Sequence, residues 1–527
     1  MKHNVLITTS GIGSRLGSIT KYVNKSLVRV GDKAIISHII DLYPKDTRFI
    51  ITLGFKGDLV RQYVEFCHAN NNIEFVEVDT FDGPGSSQLY SMLKAKDHLQ
   101  KPFIFHVADC IIKDKFYKKI NHKKNTLLGS KLGDSTIYAS FNLKDDSKIL
   151  TINNKGQMDP DLMYIGVVYI ADYEKFWKKA IELQSLRPDD TSLNDIKVFQ
   201  KIMFNTKFDY RVVNDWYDTG SVKGLSKSRE EFKSNIFKEV LDKEEEDIFS
   251  LNGNIIKFFL DEQILENRVL RNSILKNTVP EILKRSKNFY SYKIFDGALY
   301  SKVADHTNIK SFLNFGYKNL WSLKEETDSE FIDLSKKFYY NKTLIRINKF
   351  FEKYNIIDSE SIINNYKIPS VKTLINQIPE SFYSEGEKTV IHGDFILENC
   401  IYNNKEFKLI DWRQDFAGDI NHGDCYYDFS KLFHNLTVNH EIVMQDLFKV
   451  EETKKNIKVD IYRKNNLIEC EEIFLQWIDE KGYSRKRVNV LRALIWINMS
   501  PLHHYPFDKF LFYFGKLNLY KSLNYEN

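Results

Sequence analysis

The sequence lacks several features that would define a simple class of protein. Its 5 cysteines are far apart and include no Cys-x-x-Cys pair, which argues against a disulfide framework or a zinc site. No uninterrupted apolar run approaches the length of a membrane span, and the first residues lead at once into a polar glycine loop. The net charge is only +5 and is spread along the chain, so the sequence shows no basic patch of the kind that binds nucleic acid. We therefore expect a cytoplasmic protein with no nucleic-acid partner and no membrane span.

The length and apolar content of the chain predict large folded cores. Hydrophobic residues make up 43% and aromatic residues 14% of the 527 positions, which excludes wholesale disorder. At roughly 150 residues per domain, this length predicts two or three domains. Charged residues crowd between about 220 and 249, and no proline-rich or Gly/Ser-rich linker occurs. We therefore predict a first domain over residues 1–225, a charged helical connector over 226–248 and a second domain over 249–527.

A short stretch near residue 400 carries the residue types of phosphate transfer. The tripeptide His392-Gly393-Asp394 is followed by Asn399, and Asp411 ends the apolar-periodic segment that comes next. An aspartate at a strand end can accept the proton of a hydroxyl, while an asparagine on the same loop and an aspartate on the next strand can hold Mg²⁺ against ATP phosphates. We therefore predict Asp394 as a catalytic residue, with Asn399 and Asp411 as metal ligands. A loop with incidental carboxylates is the alternative, and it must explain three matching elements at once.

This order and spacing resemble the catalytic core of the aminoglycoside phosphotransferase and choline kinase family. The resemblance implies a two-lobed protein-kinase-like (α+β) domain, with a small lobe of about residues 249–300 and a helical large lobe of about 301–527. In such a small lobe, Lys257 on a predicted strand over residues 254–259 would reach the ATP phosphates, with Glu266 on the following helix as its partner. A strand lysine that faces solvent is the alternative for Lys257. Residues 289–297 resemble the hinge strand, whose backbone would pair with adenine.

The N-terminal region begins with a β-branched run and a glycine loop. Gly11 and Gly13 would let backbone N–H groups approach a triphosphate, Arg15 can pair with phosphate oxygens, and Lys25 offers a second cation. A tight turn after a buried strand is the alternative interpretation of such a loop.

Alternating apolar runs and helix-like segments follow the glycine loop. Predicted strands at residues 49–54 and 103–107 are separated by predicted helices at 58–68 and 87–99, which is the pattern of a parallel α/β sheet. Asp109 follows the second of these strands, at the edge where α/β proteins place their sites. Asp218 lies much further on, and two carboxylates far apart in sequence can share one Mg²⁺.

This part of the chain resembles the sugar-phosphate and phosphocholine nucleotidyltransferases over about residues 1–225. The resemblance rests on segments 11–16, 83–87, 164–167 and 216–220, with Lys25 and Asp109; Ser10 stands where that family usually has a further glycine, and Asn24 where it usually has a proline. It implies a Rossmann-like nucleotidyltransferase domain. In it Gly11, Gly13, Arg15 and Lys25 would hold the triphosphate, Gly85 and Ser86 would lie near the base, and Asp109 with Asp218 would bind Mg²⁺.

Together the two resemblances imply consecutive chemistry. A kinase would phosphorylate a small alcohol with ATP, and a nucleotidyltransferase would couple the product to a nucleoside triphosphate with loss of pyrophosphate. Arg15 and Lys25 would lower the second barrier by neutralising charge. The implied cofactor is Mg²⁺, and the implied substrates are ATP and CTP or another nucleoside triphosphate. Fusions that look like this one make CDP-alcohols or nucleotide sugars for surface polymers such as capsule or lipopolysaccharide.

Several alternatives stay open at the level of the sequence. The pair of activities could be a sugar kinase with a sugar-phosphate nucleotidyltransferase, an antibiotic-modifying kinase with a binding domain, or a regulatory scaffold of two inactive enzymes. For the alcohol, four aromatic residues among nearby acids favour an amino alcohol such as choline. The aromatic residues are Trp412, Phe416, Tyr426 and Tyr427, and the acids are Asp415, Asp419, Asp424 and Asp428. The same aromatics could fill a core, and the acids suit a sugar or polyol equally. Whether the protein forms a homo-oligomer is also left open.

Overall fold

A computed structural model describes residues 3–144, 148–234, 236, 245–404, 406–453 and 456–524. The chain divides into two compact units, which are described separately below. Unit 1 comprises Met1–Glu262 and Lys284–Ser291, and unit 2 comprises Gln263–Leu283 and Tyr292–Asn527.

The centre of unit 1 is a parallel sheet. Strand β1 (Asn4–Thr8) pairs in parallel with β4 (Arg48–Leu53) on one side and β6 (Phe103–Val107) on the other, and β4 pairs in parallel with β5 (Asn72–Glu77). Because the chain moves out from β1 in both directions, the carboxyl ends of β1 and β6 lie side by side at a switch in strand order, where α/β sheets bind ligands. The predicted Rossmann-like α/β arrangement of the N-terminal region is confirmed.

Further strands extend this sheet and form small ribbons beside it. They are β2 (Arg29–Val30), β3 (Lys33–Ala34), β7 (Cys110–Ile112), β8 (Asn125–Ser130), β9 (Ser140–Lys144), β10 (Lys148–Asn153), β11 (Leu162–Ile170), β12 (Phe208–Val212) and β13 (Trp216–Asp218). β11 pairs antiparallel with β6 and carries the sheet on to β8 and β9. The helices of this region are α1 (Ile35–Leu42), α2 (Gly57–Cys67), α3 (Gln88–Lys94), α4 (Tyr173–Leu186), α5 (Asp195–Ile202) and α6 (Val222–Glu231). The two predicted strands and the first predicted helix of residues 49–107 are found within a residue or so of their predicted ends. The second predicted helix, 87–99, is divided into α3, which ends at Lys94, and a 3-10 turn over Lys96–His98.

Unit 1 also contains strands that the sequence placed in the small lobe of a second domain. β14 (Glu246–Leu251) and β15 (Asn254–Phe259) form an antiparallel hairpin, and β17 (Phe289–Lys293) is the next strand in that sheet, followed by β16 (Ile282–Arg285). Of the last two strands, the residues within Lys284–Ser291 belong to unit 1. Phe249 and Phe289 both pack against the ring of Tyr63, with centroids 5.1 and 5.8 Å away. The hairpin therefore shares the hydrophobic core of the N-terminal sheet.

The predicted connector over residues 226–248 is helical only in part. Its first residues continue α6, but residues 246–248 belong to β14 because the alternating apolar side chains of that strand bury in the core. Residues 235 and 237–244 lie outside the described part of the chain. The predicted domain limits stay a prediction, and the division into compact units falls at Glu262 instead.

Unit 2 is mainly helical, with short strands between the helices. Its helices are α7 (Glu262–Leu275, from Gln263 onward), α8 (Ile309–Gly316), α9 (Ser329–Lys336), α10 (Lys342–Tyr354), α11 (Val371–Asn376), α12 (Ser381–Ser384), α13 (Cys425–Thr437), α14 (His440–Met444), α15 (Asn465–Glu480), α16 (Arg485–Met499) and α17 (Phe507–Asn524). Its strands are β18 (Ala298–Leu299), β19 (Lys324–Glu325), β20 (Ser361–Ile363), β21 (Tyr366–Ile368), β22 (Lys388–Thr389), β23 (Cys400–Tyr402), β24 (Phe407–Leu409), β25 (Gly423–Asp424), β26 (Phe448–Glu452) and β27 (Ile457–Ile461). Among the described residues, no helix combines the length and the apolarity of a membrane span.

Candidate active sites

The glycine loop of unit 1 leaves β1 at the switch in strand order. A side chain added at Gly11 would meet no atom of the described residues within 4 Å, so the loop leaves open space there. Gly13 has φ +70°, and a Cβ at this position would lie 3.1 Å from the Cβ of Lys25. Gly11 thus faces the cleft, whereas Gly13 lets the segment of Lys25 approach the loop.

Asn24 anchors the segment that carries Lys25. Its buried Nδ2 donates hydrogen bonds to the carbonyl oxygens of Thr9 (2.8 Å) and Phe55 (2.6 Å), and its Oδ1 accepts one from the backbone N–H of Ser26 (2.9 Å). A buried amide that is satisfied on both sides fixes the local backbone. The asparagine that departs from the family pattern therefore positions Lys25 against the end of β1.

Asp109 is the carboxylate with which both cations of this cleft pair. Its Oδ2 lies 3.0 Å from Nζ of Lys25 and 3.4 Å from Nη2 of Arg15. Burial raises the pKa of Asp109, but the positive charges of Lys25 and then Arg15 lower this pKa more, so the net shift is below the ordinary value. The structure thus brings together three residues that the sequence predicted for one site, with Asp109 as a carboxylate at neutral pH.

Asp218 lies on the strand that pairs with the one after Asp109. β7 and β13 are antiparallel with Cys110 opposite Asp218, and the backbone N–H of Thr219 donates to the carbonyl oxygen of Asp109 (2.9 Å). A Cβ at Gly220 would lie only 2.7 Å from Oδ2 of Asp109. The missing side chain at Gly220 therefore keeps the turn beside Asp218 close to the Asp109 carboxylate.

The two carboxylates fit a magnesium ion that arrives with a triphosphate. Within the described residues, no group of three or more His, Cys, Asp or Glu side chains could hold a metal ion. Mg²⁺ at nucleotide sites is usually bound by one or two carboxylates together with substrate phosphates and water, so a larger set is not required. Asp109 and Asp218 are oxygen donors of this kind, and both face the same cavity.

The cavity at this edge of the sheet has a volume of about 400 Å³. Of the predicted residues it is lined by Gly11, Arg15, Lys25, Ser86, Asp109 and Asp218. Gly85, with φ +84°, shapes the turn before Ser86, whose Oγ donates to the carbonyl oxygen of Gly83 (2.6 Å). The cavity is large enough for a small ligand, although it lies at the low end of the usual range.

Asp195 is a cavity residue that the sequence did not indicate. It is buried, and its carboxylate accepts hydrogen bonds from the hydroxyl of Tyr164 (2.6 Å) and from Nε2 of Gln88 (3.3 Å). Burial raises the pKa of Asp195 to about 6, although the bond from Tyr164 acts in the opposite direction. Nothing in the local sequence marks this aspartate, because its environment comes from residues that are distant along the chain.

The predicted catalytic loop of unit 2 holds Asp394 next to Asn399. The Nδ2 atom of Asn399 donates to Oδ2 (2.8 Å) and to the carbonyl oxygen (3.0 Å) of Asp394, and Nζ of Lys431 lies 2.7 Å from Asp394 Oδ1. Burial raises the pKa of Asp394, but the charge of Lys431 lowers it more, to well below the ordinary value. Asp394 is therefore ionised, and Lys431 is its cation partner, which the sequence did not reveal.

A buried carboxylate holds the backbone of this loop in place. Asp428 accepts hydrogen bonds from the backbone N–H groups of His392 (2.8 Å) and Gly393 (2.7 Å) and from Nε1 of Trp321 (3.1 Å). Burial raises the pKa of Asp428 to about 6. The loop conformation before Asp394 thus depends on a side chain 34 positions later in the sequence.

The third predicted residue of this site, Asp411, follows a strand that is tied to the same loop. The backbone N–H of Ile410 donates to the carbonyl oxygen of Asn399 (2.8 Å), and that of Arg413 donates to His392 (3.0 Å). Asp411 has φ +60°, an uncommon conformation for aspartate. Among the described residues, the side-chain hydrogen bonds of Asn399 use its nitrogen, so its carbonyl oxygen, with the Asp411 carboxylate, suits a hard cation such as Mg²⁺.

Lys257 and Glu266 fall in different compact units. Lys257 is buried on β15 in unit 1, which disagrees with a lysine that faces solvent, and Glu266 lies on α7 in unit 2. Their pairing across an ATP site stays a prediction.

The aromatic residues expected around an ammonium group are largely core residues. Trp412 and Phe416 are fully buried, and Phe416 stacks on Phe338 with centroids 4.4 Å apart. Asp424, one of the acids in that expectation, is buried in an ion pair with Arg487 (2.6 Å). The expected cage of aromatic faces and free carboxylates is therefore not formed by these residues.

Comparison with known proteins gives limited similarity, confined to the N-terminal half. No family model matches the chain. The bifunctional protein GlmU of Methanococcus maripaludis strain C7 is 23% identical over 260 residues, and GlmU of Methanococcus vannielii is 21% identical over 263 residues. Each match covers 48% of this chain and 60% of the relative. The matched part thus spans less than two thirds of these curated relatives.

Solved structures show a similar limit. The CTP:phosphocholine cytidylyltransferase of Streptococcus pneumoniae is 18% identical with a TM-score of 0.38, and the match covers 44% of this chain and 100% of that one. The inositol-1-phosphate CTP transferase of T. maritima is 17% identical with a TM-score of 0.38, covering 46% of this chain and 98% of that one. Similarity at this level does not assign an activity to this chain.

Proposed function

We propose that this chain is a bifunctional enzyme. One site phosphorylates a small alcohol with ATP, and the other transfers a nucleotidyl group, from CTP, to the phosphorylated product with release of pyrophosphate. The observation that carries the proposal is the convergence of Arg15, Lys25 and Asp109 in one cavity, with Asp218 on the neighbouring strand. The product is an activated precursor such as a CDP-alcohol for a surface polysaccharide or lipid.

In the nucleotidyl transfer, charge neutralisation and positioning are the main tasks of the protein. A phosphate oxygen of the acceptor forms a bond to the α-phosphorus of the nucleotide, the bond to the bridging oxygen breaks, and pyrophosphate leaves. Arg15 and Lys25 stabilise the negative charge that develops on the phosphate oxygens. Mg²⁺, held by Asp109 and Asp218, supplies further charge neutralisation when bound.

In the kinase step, Asp394 is the residue that accepts the proton. The hydroxyl oxygen of the alcohol bonds to the γ-phosphorus, the bond to the β–γ bridging oxygen breaks to leave ADP, and the hydroxyl proton passes to Asp394. Lys431 holds the carboxylate of Asp394 at 2.7 Å, and Asp428 fixes the loop. Asn399 and Asp411 would hold Mg²⁺, which would supply charge neutralisation at the ATP phosphates.

The choice of CTP has indirect support. Kinase fusions that resemble this chain hand phosphorylated alcohols to cytidylyltransferases, and a pyrimidine suits a small pocket near Gly85. Making a nucleotide sugar from a sugar phosphate is the second candidate, since the uncharged hydroxyls of a sugar suit the same polar cleft. A scaffold of two inactive domains is disfavoured because each site keeps its pair of oxygen donors for a metal.

The test is product analysis by mass spectrometry. The protein is incubated with ATP, Mg²⁺, each of the four nucleoside triphosphates in turn, and a panel of alcohols and their phosphates. We expect a cytidylylated product and pyrophosphate that both disappear in Asp109→Ala. Turnover with UTP or GTP and none with CTP would refute the choice of CTP, and absence of pyrophosphate with every donor would refute the nucleotidyl transfer.

A further inference from the structure

The surroundings of Asp394 are rich in positive charge. Besides Lys431, unit 2 places Lys342 and Arg346 one helical turn apart on α10, and Arg413 directly after the segment of Asp411. A Cβ on Gly393, the residue before Asp394, would lie 2.5 Å from the Cβ of Arg413, so Arg413 packs against the catalytic loop itself. This positive cluster is therefore part of the site.

Aromatic contacts tie the cluster together. Two cations lie over the ring of Phe338: Nζ of Lys342 is 3.9 Å from the ring centroid, and Cζ of Arg413 is 5.0 Å from it. The ring of Tyr427 meets Phe338 edge-on at 4.8 Å, and Tyr427 lies one turn before Lys431 on α13. The chain of contacts thus runs from Lys342 through Phe338 and Tyr427 to the lysine that holds Asp394.

In the described part of the chain, these cations form no ion pair with an acid. Among the described residues, Lys342, Arg346 and Arg413 have no carboxylate within 4.0 Å; Arg346 donates to the carbonyl oxygen of Asn498 (3.4 Å) and Arg413 to that of Asp415 (2.9 Å). Burial, followed by the charges of Arg413, Arg346 and Lys431, lowers the pKa of Lys342 well below its ordinary value, and the charge of Asp415 acts in the opposite direction. A half-buried cluster of like charges is costly unless an anion joins it.

We propose that the alcohol phosphorylated at Asp394 carries an acid group, a carboxylate or a phosphate, that Lys342, Arg346 and Arg413 bind. The inference rests on the proposed kinase activity and names the class of its acceptor. It replaces the amino alcohol suggested by the aromatic sequence, because an ammonium group would be repelled by the same cations. The acid group docks on the cluster and the hydroxyl points to Asp394, so transfer proceeds as described for the kinase step.

The test compares acceptors that differ only in charge. Release of ADP from ATP and Mg²⁺ is measured with glycerate and glycerol 3-phosphate as anions, glycerol as the neutral analogue and 3-amino-1,2-propanediol as the cation, and then with galacturonate, galactose and galactosamine. We expect the preferred anion to exceed its neutral and cationic analogues by about 10²-fold or more in kcat/KM. The glycerate and glycerol 3-phosphate arms distinguish a carboxylate from a phosphate. Preference for the neutral or the amine member of either set overturns the proposal, while the proposed kinase activity stands.

Variants identify the side chains that bind the acid. Lys342→Met and Arg346→Met are each expected to raise KM for the anionic acceptor about 10-fold or more, with the KM for ATP unchanged. Lys349→Met is the matched control, because Lys349 is an exposed lysine on the same helix. Equal increases in the KM for ATP would show that the cluster binds the nucleotide instead, which overturns the proposal.

A binding measurement separates this inference from the kinase activity. If no acceptor gives ADP release that depends on Asp394, the kinase proposal fails, and the anion site is then decided with inorganic sulfate as the probe. Calorimetry is expected to show sulfate binding that is lost in Lys342→Met and kept in Lys349→Met. Binding that is equal in both variants, or absent from the unmodified protein, overturns the anion site.

Discussion

The two candidate sites share a local design and differ in what supports it. In unit 1 an aspartate, Asp109, lies 3.0 Å from Lys25, and in unit 2 Asp394 lies 2.7 Å from Lys431. The backbone around Asp109 is held by strand pairing, through Thr219 and the ribbon of β7 and β13. The backbone before Asp394 is held by the buried side chain of Asp428. A site built on sheet edges thus needs few dedicated side chains, whereas a site built on a loop needs a buried polar anchor.

The sites also differ in their balance of charge. In unit 1 the cations Arg15 and Lys25 face the carboxylates Asp109 and Asp218, so these four formal charges cancel before any ligand binds. In unit 2 the charges of Lys431 and Asp394 cancel, and the three cations Lys342, Arg346 and Arg413 outnumber the acids Asp411 and Asp415. The first site suits a triphosphate that brings its own metal ion, and the second has spare positive charge for a further anion.

Exchanging each central aspartate for asparagine is expected to have the largest effects. Asp394→Asn should lower phosphoryl transfer from ATP by about 10²- to 10⁴-fold and leave nucleotidyl transfer to a supplied phosphorylated acceptor intact. Asp109→Asn should do the reverse, because it removes the carboxylate that pairs with Lys25 and that we propose as a metal ligand. Separate assays of ADP and pyrophosphate release check both. Equal loss of both activities in either variant, with the fold preserved, would contradict the two-site model.

Asp428→Asn tests whether the loop of unit 2 depends on its buried anchor. An amide has one acceptor oxygen, so one of the two backbone N–H groups of the loop would face an N–H₂ group instead. We expect kcat of the kinase to fall about 10²-fold through misplacement of Asp394, with nucleotidyl transfer unchanged. The exposed Asp333 provides the control, as Asp333→Asn should leave both rates alone. An unchanged kcat in Asp428→Asn would remove the distinction drawn between the two sites.

Asp195 and Asp109 line the same cavity, but the pKa of Asp195 is raised and that of Asp109 is lowered. The two shifts therefore change the stability of the protein in opposite directions as the pH rises. The pKa of Asp195 is raised to about 6 in the folded protein, so its favourable contribution is complete below pH 4 and lost as the pH rises through 6. A shift of about 2 units corresponds to about 3 kcal/mol. The free energy of unfolding, measured by denaturant between pH 4 and 7, should therefore fall with pH more in the unmodified protein than in Asp195→Asn. Parallel curves would show that Asp195 titrates normally.

Asn24→Ala is expected to have the smallest effect. It removes two donated hydrogen bonds that hold the segment of Lys25, at a cost of about 1–3 kcal/mol in the positioning of that segment. The KM for the nucleoside triphosphate should rise about 10-fold, while the kinase is unaffected. Asn70→Ala, at an exposed asparagine of unit 1, is the control. If KM is unchanged, strand pairing alone is sufficient to place Lys25.

The sequence was informative where short-range pattern decides structure. The apolar runs of β1, β4 and β6 predicted the parallel sheet, and the spacing of Asp394 and Asn399 predicted one loop, on which the two side chains indeed lie 2.8 Å apart. Their roles in catalysis and in metal binding stay predictions. In each case the relevant residues are near in sequence or repeat at a fixed period.

The sequence failed where a role depends on partners that only folding supplies. The strand of residues 254–259 was predicted, but an apolar face does not name its partner, and β15 packs into the core of unit 1. Asp428 was taken as one of the acids around an ammonium group, yet its burial makes it the anchor of the loop. The cation cluster of unit 2 was missed because Lys342, Arg346 and Arg413 come from segments about seventy residues apart.

The path of the chain has a consequence for how the protein is made. Because unit 1 includes Lys284–Ser291, a ribosome that has completed Glu262 has not yet delivered Asn288, which hydrogen-bonds Gln62, or Phe289, which packs on Tyr63. Unit 1 therefore cannot complete its fold until Lys284–Ser291 have been synthesised, and these residues follow Gln263–Leu283, which belongs to unit 2. At about 5–20 residues per second the wait lasts a few seconds at most, during which its apolar surface is open to chaperones. A gene cut after residue 225 would make that exposure permanent.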